Sequence, residues 1–328
     1  MCTLLRLLRP ATKVPASTYE TLVMTTALEQ YRSLRNEVAA VWLPRQIIEV
    51  SGPDAGSFLQ GQLSQDIDEL EVGAGVWSFV LQPHGKVDAF VAVTRSDLTV
   101  FHLDVDGGHG EHLLERLARF KLRTKIDLEL LDWKVLGLRG PESHDIGEKS
   151  GSRVLWADWR DFKGVDLIGP SIDVPEGIEL VDPEVYEAVR IEEGIPVLGR
   201  ELDERTIPAE AGVNDLAISF TKGCYTGQEL VARIDSRGGN VSRHLRGVVL
   251  ESSVEPPPTG AKVIATVGNL GAPSKVVGTM TSSTYSPGLD SAVGLALVRR
   301  DVRPPVDAVL EWDEETAPCQ VRSLPLKP

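Results

Sequence analysis

Apolar residues along this chain switch between two periods. Over Ala27–Ala40 they recur at three- and four-residue spacing (Leu28, Tyr31, Leu34, Val38), which predicts a short helix. Arg45–Val50 reads as a strand and is closed by the turn Ser51-Gly52-Pro53-Asp54. Pro53 suits the opening of a helix over Asp54–Gln65, with Phe58, Leu59 and Leu63 on one side. Val76–Gln82 and Val87–Thr94 flank Pro83-His84-Gly85-Lys86, a hairpin pattern. Leu98–Leu103 is a further strand, Asp104–Gly108 a polar loop, and Glu111–Phe120 a helix carrying Leu113, Leu114 and Leu117. Lys134–Arg139 reads as a strand, whereas Pro141–Pro175 is rich in turns and shows no settled period. Pro183–Glu193 is a helix, with Asp182 as N-cap and Gly194 as its terminator.

After Gly239 the pattern changes. Val, Thr, Ser, Gly and Pro dominate, and short strands follow one another at Arg246–Leu250, Lys262–Val267, Val276–Ser282 and Ser291–Val298. This predicts a small β-barrel or sandwich from about Ser242, hence a domain over 242–328. Residues 1–25 read as a disordered N-terminal extension, with Met24 an alternative start.

The 328 residues suffice for two or three domains. A net charge of −14 disfavours broad binding to phosphate backbones, so no direct nucleic-acid partner is expected. The longest apolar runs are too short to span a membrane, and Arg6 and Arg9 interrupt the first of them, so a membrane span or signal peptide is not expected. Cys2, Cys224 and Cys319 are far apart. They offer no disulfide framework and no all-cysteine metal site, and they fit a reducing, cytoplasmic setting. His102, His109 and His112 are close in sequence but lack a metal-binding spacing, so no metal is expected there.

The segment Ile218–Asn240 carries the densest chemistry. Ile218-Ser219-Phe220 reads as a strand and Gln228–Arg237 as an amphipathic helix, ended by Gly238-Gly239. Thr226 and Glu229 have capping-box spacing, so Thr226 is the expected N-cap. Cys224 then precedes a helix start, where unpaired N–H groups favour a thiolate, and Lys222 and Arg233 add positive charge. The residues leave two readings open: a reactive thiol, or a small cysteine filling a gap.

Lys222-Gly223-Cys224-Tyr225-Thr226-Gly227-Gln228-Glu229 resembles the K-G-C-Y-x-G-Q-E signature of the YgfZ family, folate-binding relatives of the glycine-cleavage T-protein. Arg190-Ile191-Glu192-Glu193-Gly194-Ile195-Pro196 resembles that family's R-x-E-x-G-I-P stretch, and Phe58–Asp66 its F-L-x-G-Q-x-[ST]-x-D stretch. Gly278–Ser282, Ser286-Pro287 and Ala296–Arg299 are similar to the shared C-terminal segment. The resemblance runs from about Trp42 to Arg300.

The resemblance implies an α+β protein of three domains in a ring. Two entangled α+β folate-binding domains would occupy 26–241, and a β-barrel the rest. It implies tetrahydrofolate or another folate derivative as cofactor. Glu192 would grip the pterin, and Arg190, Lys222 and Arg233 would be basic groups for its tail. A carboxylate suits this role because it accepts two parallel N–H bonds from a 2-amino-4-oxo ring. T-proteins have two adjacent aspartates after the hairpin turn. Here Asp88 remains and Ala89 replaces the other, so the implied acid–base group is Asp88, and glycine cleavage is in doubt. The family's function implies a factor supporting assembly or repair of iron–sulfur clusters in client enzymes, with indirect effects on tRNA modification and Cys224 as its reactive group. The alternative is a folate-dependent one-carbon (aminomethyl) transferase or demethylase relative.

Overall fold

The computed structural model describes residues 16–252, 254–266 and 274–326, with side chains from Thr26 onward. The chain opens with helix α1 (Ala16–Asn36) and strand β1 (Ala39–Trp42). It crosses to a different sheet for β2 (Arg45–Ser51), α2 (Ala55–Gln62), β3 (Gly75–Leu81), β4 (Val87–Asp97), β5 (Val100–Asp106), α3 (Gly110–Phe120) and β6 (Asp127–Leu131). It then returns to the first sheet with β7 (Lys134–Arg139), α4 (Ser143–Lys149), β8 (Arg153–Trp156), β9 (Gly164–Gly169) and β10 (Glu179–Leu180), followed by α5 (Pro183–Glu193). Three short helices come next: α6 (Pro208–Ala211), α7 (Asn214–Ala217) and α8 (Gln228–Asp235). The last strands are β11 (Arg243–Leu250), β12 (Lys262–Thr266), β13 (Ser274–Ser286), β14 (Ser291–Arg299), β15 (Val306–Trp312) and β16 (Glu315–Arg322).

Two five-stranded sheets result, in the orders β10-β1-β7-β9-β8 and β3-β4-β5-β2-β6, together with a closed barrel β11-β14-β13-β12-β15-β16. Because β1 pairs antiparallel with β7, the whole second sheet is inserted between two neighbours of the first. That insertion is the entanglement the resemblance implied, and the α+β class with a C-terminal barrel holds.

Alternation explains how the sheets meet. On β2, Ile48 and Val50 share a core with Phe101, Leu103 and Val105 of β5, while Ile47 packs with Val135 and Ile168 of the other sheet. Each such fully buried side chain contributes about 1.5–3 kcal/mol. The opposite face of β5 presents His102, Asp104 and Asp106, all buried. The expected polar loop Asp104–Gly108 is therefore half strand, because Asp104 and Asp106 continue the pairing with β2.

Three other expectations are corrected. Residues 16–25 belong to α1, so only residues 1–15 of the proposed extension, Cys2 included, lie outside the described residues. The first helix stops at Asn36 rather than Ala40, since Ala39–Trp42 gains sheet partners on both sides, β7 and β10, and pairing outweighs alanine's helix preference. Ile218–Phe220 is a loop. Ile218 N still donates to Asn214 O of α7, and Ser219 N donates to Ser64 O rather than joining a sheet ladder.

The barrel is filled by small and branched residues (Val248, Val263, Ala292, Ala296, Val298, Leu310), with Met280 packed where only Gly294 leaves room. Its outer face packs on α5 through Leu245, Val249, Val293 and Leu295 around Ile191. Helix α5 is thus wedged between α1 and the barrel, and its other flank faces a cavity.

Candidate functional site

That cavity, of about 480 Å³, lies where α5 meets both sheets. Its size suits a drug-sized organic ligand. Trp77, Trp159, Phe162 and Tyr186 contribute aromatic wall, and Trp42 sits in the same lining. Trp77 is stacked on Phe90 at 5.0 Å, and its indole N–H donates to Asp158 O at 2.7 Å. The Trp159 N–H donates to Glu193 O at 3.1 Å. Both indoles are pinned by their edges, a fixed setting for a planar ring.

The polar part of the lining is a buried charge cluster. Arg45 Nε donates to Asp104 Oδ1 at 2.5 Å and Nη1 to Asp106 Oδ1 at 2.6 Å. Arg139 Nη1 stands 2.8 Å from Asp166 Oδ1. Burial, helped by neighbouring Asp166 and opposed by Arg45, raises the Asp104 carboxyl to about 8. The folded state therefore holds this proton more tightly than the unfolded chain does. Stability from this group is complete below about pH 4 and is lost as the pH rises through about 8. Asp104→Asn is expected to flatten that decline. Urea midpoints at pH 5 and pH 8 should separate less in the variant than in wild type.

Arg190 lines the cavity, two residues before Glu192. Its Nε and Nη2 donate to the two oxygens of Glu187 at 2.8 and 2.7 Å, and Nη1 donates to Glu201 Oε2 at 3.2 Å. Ser282 of the barrel donates to the other Glu201 oxygen at 2.6 Å. Burial alone would raise the Glu187 carboxyl, but the bonds from Arg190 and the charge of Arg200 outweigh it and hold it low.

Glu192 does not line the cavity. It points the other way, is wholly buried, and has both oxygens taken. Tyr31 Oη donates to Oε2 at 2.6 Å, Arg35 pairs with the same oxygen, and Ser286 of the barrel donates to Oε1. Burial, and then the Glu192 charge, push the Tyr31 phenol up, which keeps it a donor. The pterin-gripping role expected for Glu192 meets a carboxylate already saturated by α1 and the barrel.

The loop 219–227 is a second structured feature. Lys222 is buried, and its Nζ donates to Gln60 O (2.9 Å), Leu63 O (2.9 Å) and Gln65 O (2.7 Å) and lies 3.2 Å from Gln60 Oε1. The Gln60 and Leu63 carbonyls lie at the C-terminal end of α2, where a cation is favoured, and Gln65 follows just beyond it. Burial lowers the ammonium to about 8. Lys222 is therefore a clamp on α2 rather than a group facing the cavity. Thr226 N donates to Gly61 O, and Gly227, with φ 82°, is the N-cap of α8 in place of Thr226. A Cβ on Gly227 would lie 2.6 Å from Gln82 O and 2.7 Å from Leu81 Cβ, so the loop is pressed against the β3–β4 turn.

Cys224 is exposed on this loop, and Phe220 of the same loop is half-exposed. Arg233 lies on exposed α8, paired with Glu229 at 2.6 Å, away from the cavity. Asp88 opens β4 and is held by Arg116 Nε at 3.1 Å and His112 Nε2 at 2.9 Å; it too is outside the cavity lining. Of the expected site residues, the fold brings only Arg190 to the cavity.

Comparison with known proteins gives this arrangement its relatives. Residues 16–159 match the GCVT N-terminal domain, and residues 243–326 match the glycine cleavage T-protein C-terminal barrel domain. A mitochondrial iron–sulfur cluster assembly factor IBA57 homolog of Pyricularia oryzae is 30% identical over 285 residues, which is 79% of this chain and 70% of that protein. The chain belongs to the YgfZ/IBA57-type glycine-cleavage T-protein-like family. A tRNA-modifying protein YgfZ of Edwardsiella ictaluri is 29% identical over 224 residues, 61% of this chain and 66% of that protein. Of a second IBA57 homolog, from Neurospora crassa, the chain spans 49%. The crystal structure of the glycine cleavage system aminomethyltransferase T from Bartonella henselae superposes with a TM-score of 0.76, over 92% of this chain and 89% of that one, at 18% identity. That likeness supports the three-part fold.

In this YgfZ/IBA57-type chain, two motifs far apart in sequence turn out to be one structure. The Lys222–Glu229 signature is fastened by its lysine and by Thr226 N to the Phe58–Asp66 stretch. Sequence reasoning missed the Arg45, Asp104, Asp106, Arg139 and Asp166 cluster. One signal was present: His102, Asp104 and Asp106 alternate with Phe101, Leu103 and Val105, which marks a polar face on a strand flanked by apolar ones.

Proposed function

We propose that this protein is a cytoplasmic, folate-binding accessory factor that supports assembly or repair of iron–sulfur clusters in client enzymes. Tetrahydrofolate or a derivative would occupy the cavity, and any effect on tRNA modification would be indirect. The observation that carries the folate reading is the aromatic-walled cavity beside α5, within a folate-binding fold. The accessory role is supported by relatives named as iron–sulfur cluster assembly factors and by the exposure of the free Cys224 thiol on a loop fastened through Lys222. A single thiol supplies one ligand, so Cys224 would act jointly with groups from a client or assembly protein. No helix among the described residues is long and apolar enough to cross a membrane.

The aminomethyl-transfer alternative has less support. It needs an acid within reach of the transferred proton, whereas Asp88 is engaged by Arg116 and His112 outside the cavity. Calorimetric titration with tetrahydrofolate should give saturable one-site binding, and absence of heat at millimolar ligand would remove the folate reading. In a deletion strain, wild type should restore cluster-enzyme activity and Cys224→Ala should not. Equal rescue by both would remove the thiol from the mechanism.

A further inference from the structure

A second cleft, of about 730 Å³, lies outside the α5 cavity, between α8 and the end of β14. Leu230, Arg233, Ile234 and Arg237 recur at three- and four-residue spacing, so they share one face of α8 and its last turn. Gly238 and Gly239, with φ 77° and 69°, turn the chain so that Asn240 joins the lining, and Asn240 Nδ2 donates back to Arg237 O at 2.9 Å. Arg300 comes from the barrel, where its N–H donates to Ser242 O at 3.1 Å. Leu230 and Ile234 are half-buried, and the three arginines are exposed. Nearby arginines are already matched: Arg243 meets Glu210, and Arg299 meets Asp301. Arg233 meets only Glu229, in a pair open to water and worth little. Among the described residues, nothing engages the guanidinium of Arg237 or of Arg300. In a chain of net charge −14, three cations thus face one cleft with one exposed carboxylate beside them. An incoming anion relieves their mutual repulsion.

We propose that this cleft docks an acidic segment of a partner protein, its carboxylates paired by Arg233, Arg237 and Arg300 and an aliphatic side chain between them laid on Leu230 and Ile234. Guanidinium suits the task, because its fork donates two parallel bonds to a carboxylate. A peptide fits better than a nucleic acid. The cleft has no aromatic side chain on which a base could stack, and its apolar pair suits an aliphatic residue. The acidic surface around it repels a long polyanion and admits a short one. Helix α8 has eight residues, a length of about 12 Å, and Cys224 lies four residues before its start at Gln228. A segment docked here therefore brings its protein beside the thiol. That the partner is an iron–sulfur client or assembly protein rests on the accessory-factor reading, whereas the docking itself does not.

The test is fluorescence anisotropy on the full chain, with a labelled peptide of alternating glutamate and leucine as the probe. Wild type should bind it saturably, and Arg237→Glu combined with Arg300→Glu should weaken binding about tenfold or more. Both side chains are exposed, so the urea midpoint should stay as in wild type. Lys262→Glu reverses an exposed charge on β12, the barrel strand opposite β11, and should leave the affinity unchanged. Absence of saturable binding, equal affinity for wild type and the double variant, or an equal loss with Lys262→Glu overturns the proposal. So does a single-stranded thymidine oligonucleotide that binds wild type more tightly than the peptide and is lost in the double variant. In the deletion strain the double variant should restore less cluster-enzyme activity than wild type while binding tetrahydrofolate equally well. Full rescue overturns the assignment to a client. Equal rescue by Cys224→Ala and wild type removes the accessory-factor reading instead and leaves the peptide result standing.

Discussion

Glu192→Ala is expected to cost about 3–5 kcal/mol of stability, the loss typical of removing one partner from a buried, hydrogen-bonded ion pair. The substitution leaves Tyr31 and Ser286 without their acceptor and strips Arg35 of one of its two carboxylates, Glu193 remaining. It also opens a void between α1 and the barrel. Glu192→Gln keeps the shape and one acceptor oxygen but loses the charge, and should fall between wild type and Glu192→Ala. Urea denaturation followed by tryptophan fluorescence measures both. The competing view, in which Glu192 grips a ligand, makes the opposite forecast: an unchanged midpoint together with lost tetrahydrofolate affinity. That result would return Glu192 to the binding site.

Lys222→Met should cost about 2–4 kcal/mol, because three backbone carbonyls and a side-chain amide oxygen lose the cation that gathers them. Methionine fills similar space, so the loss reports the polar clamp rather than a cavity. The effect should concentrate in the Cys224 loop. Amide exchange at Gly223–Tyr225 should quicken at least tenfold, while exchange in the barrel strands stays as in wild type. Uniform quickening would mean that Lys222 supports the whole fold equally and that the loop has no separate anchorage.

What the sequence made legible depended on how local each signal was. Helix α5 and its stop at Gly194 were readable because period, proline and glycine all act within one stretch, and Gly194 does adopt the left-handed conformation, with φ 71°. The barrel strands were readable as turn-punctuated runs, although β15 and β16 went unnoticed. The carboxylate of Glu192 was not readable in the same way. Its motif identified the family, but its neighbours Tyr31, Arg35 and Ser286 come from both ends of the chain, and periodicity does not encode such a meeting. The same holds for Lys222, whose partners lie on α2, and for Asp166, whose neighbours come from β2, β5 and β7. The charge of such a residue is visible in sequence, but what it is paired with is a property of the fold.

The Glu192 socket has a consequence for how the molecule comes apart. It is built from α1, from α5, and from Ser286 on the barrel, and the Leu326 N–H closes it by donating to Glu192 O at 2.6 Å. If the barrel detached on its own, a buried carboxylate would lose a donor and α5 would expose Ile191 to water. The barrel and the entangled pair should therefore melt together in one cooperative transition, although their hydrophobic cores are separate.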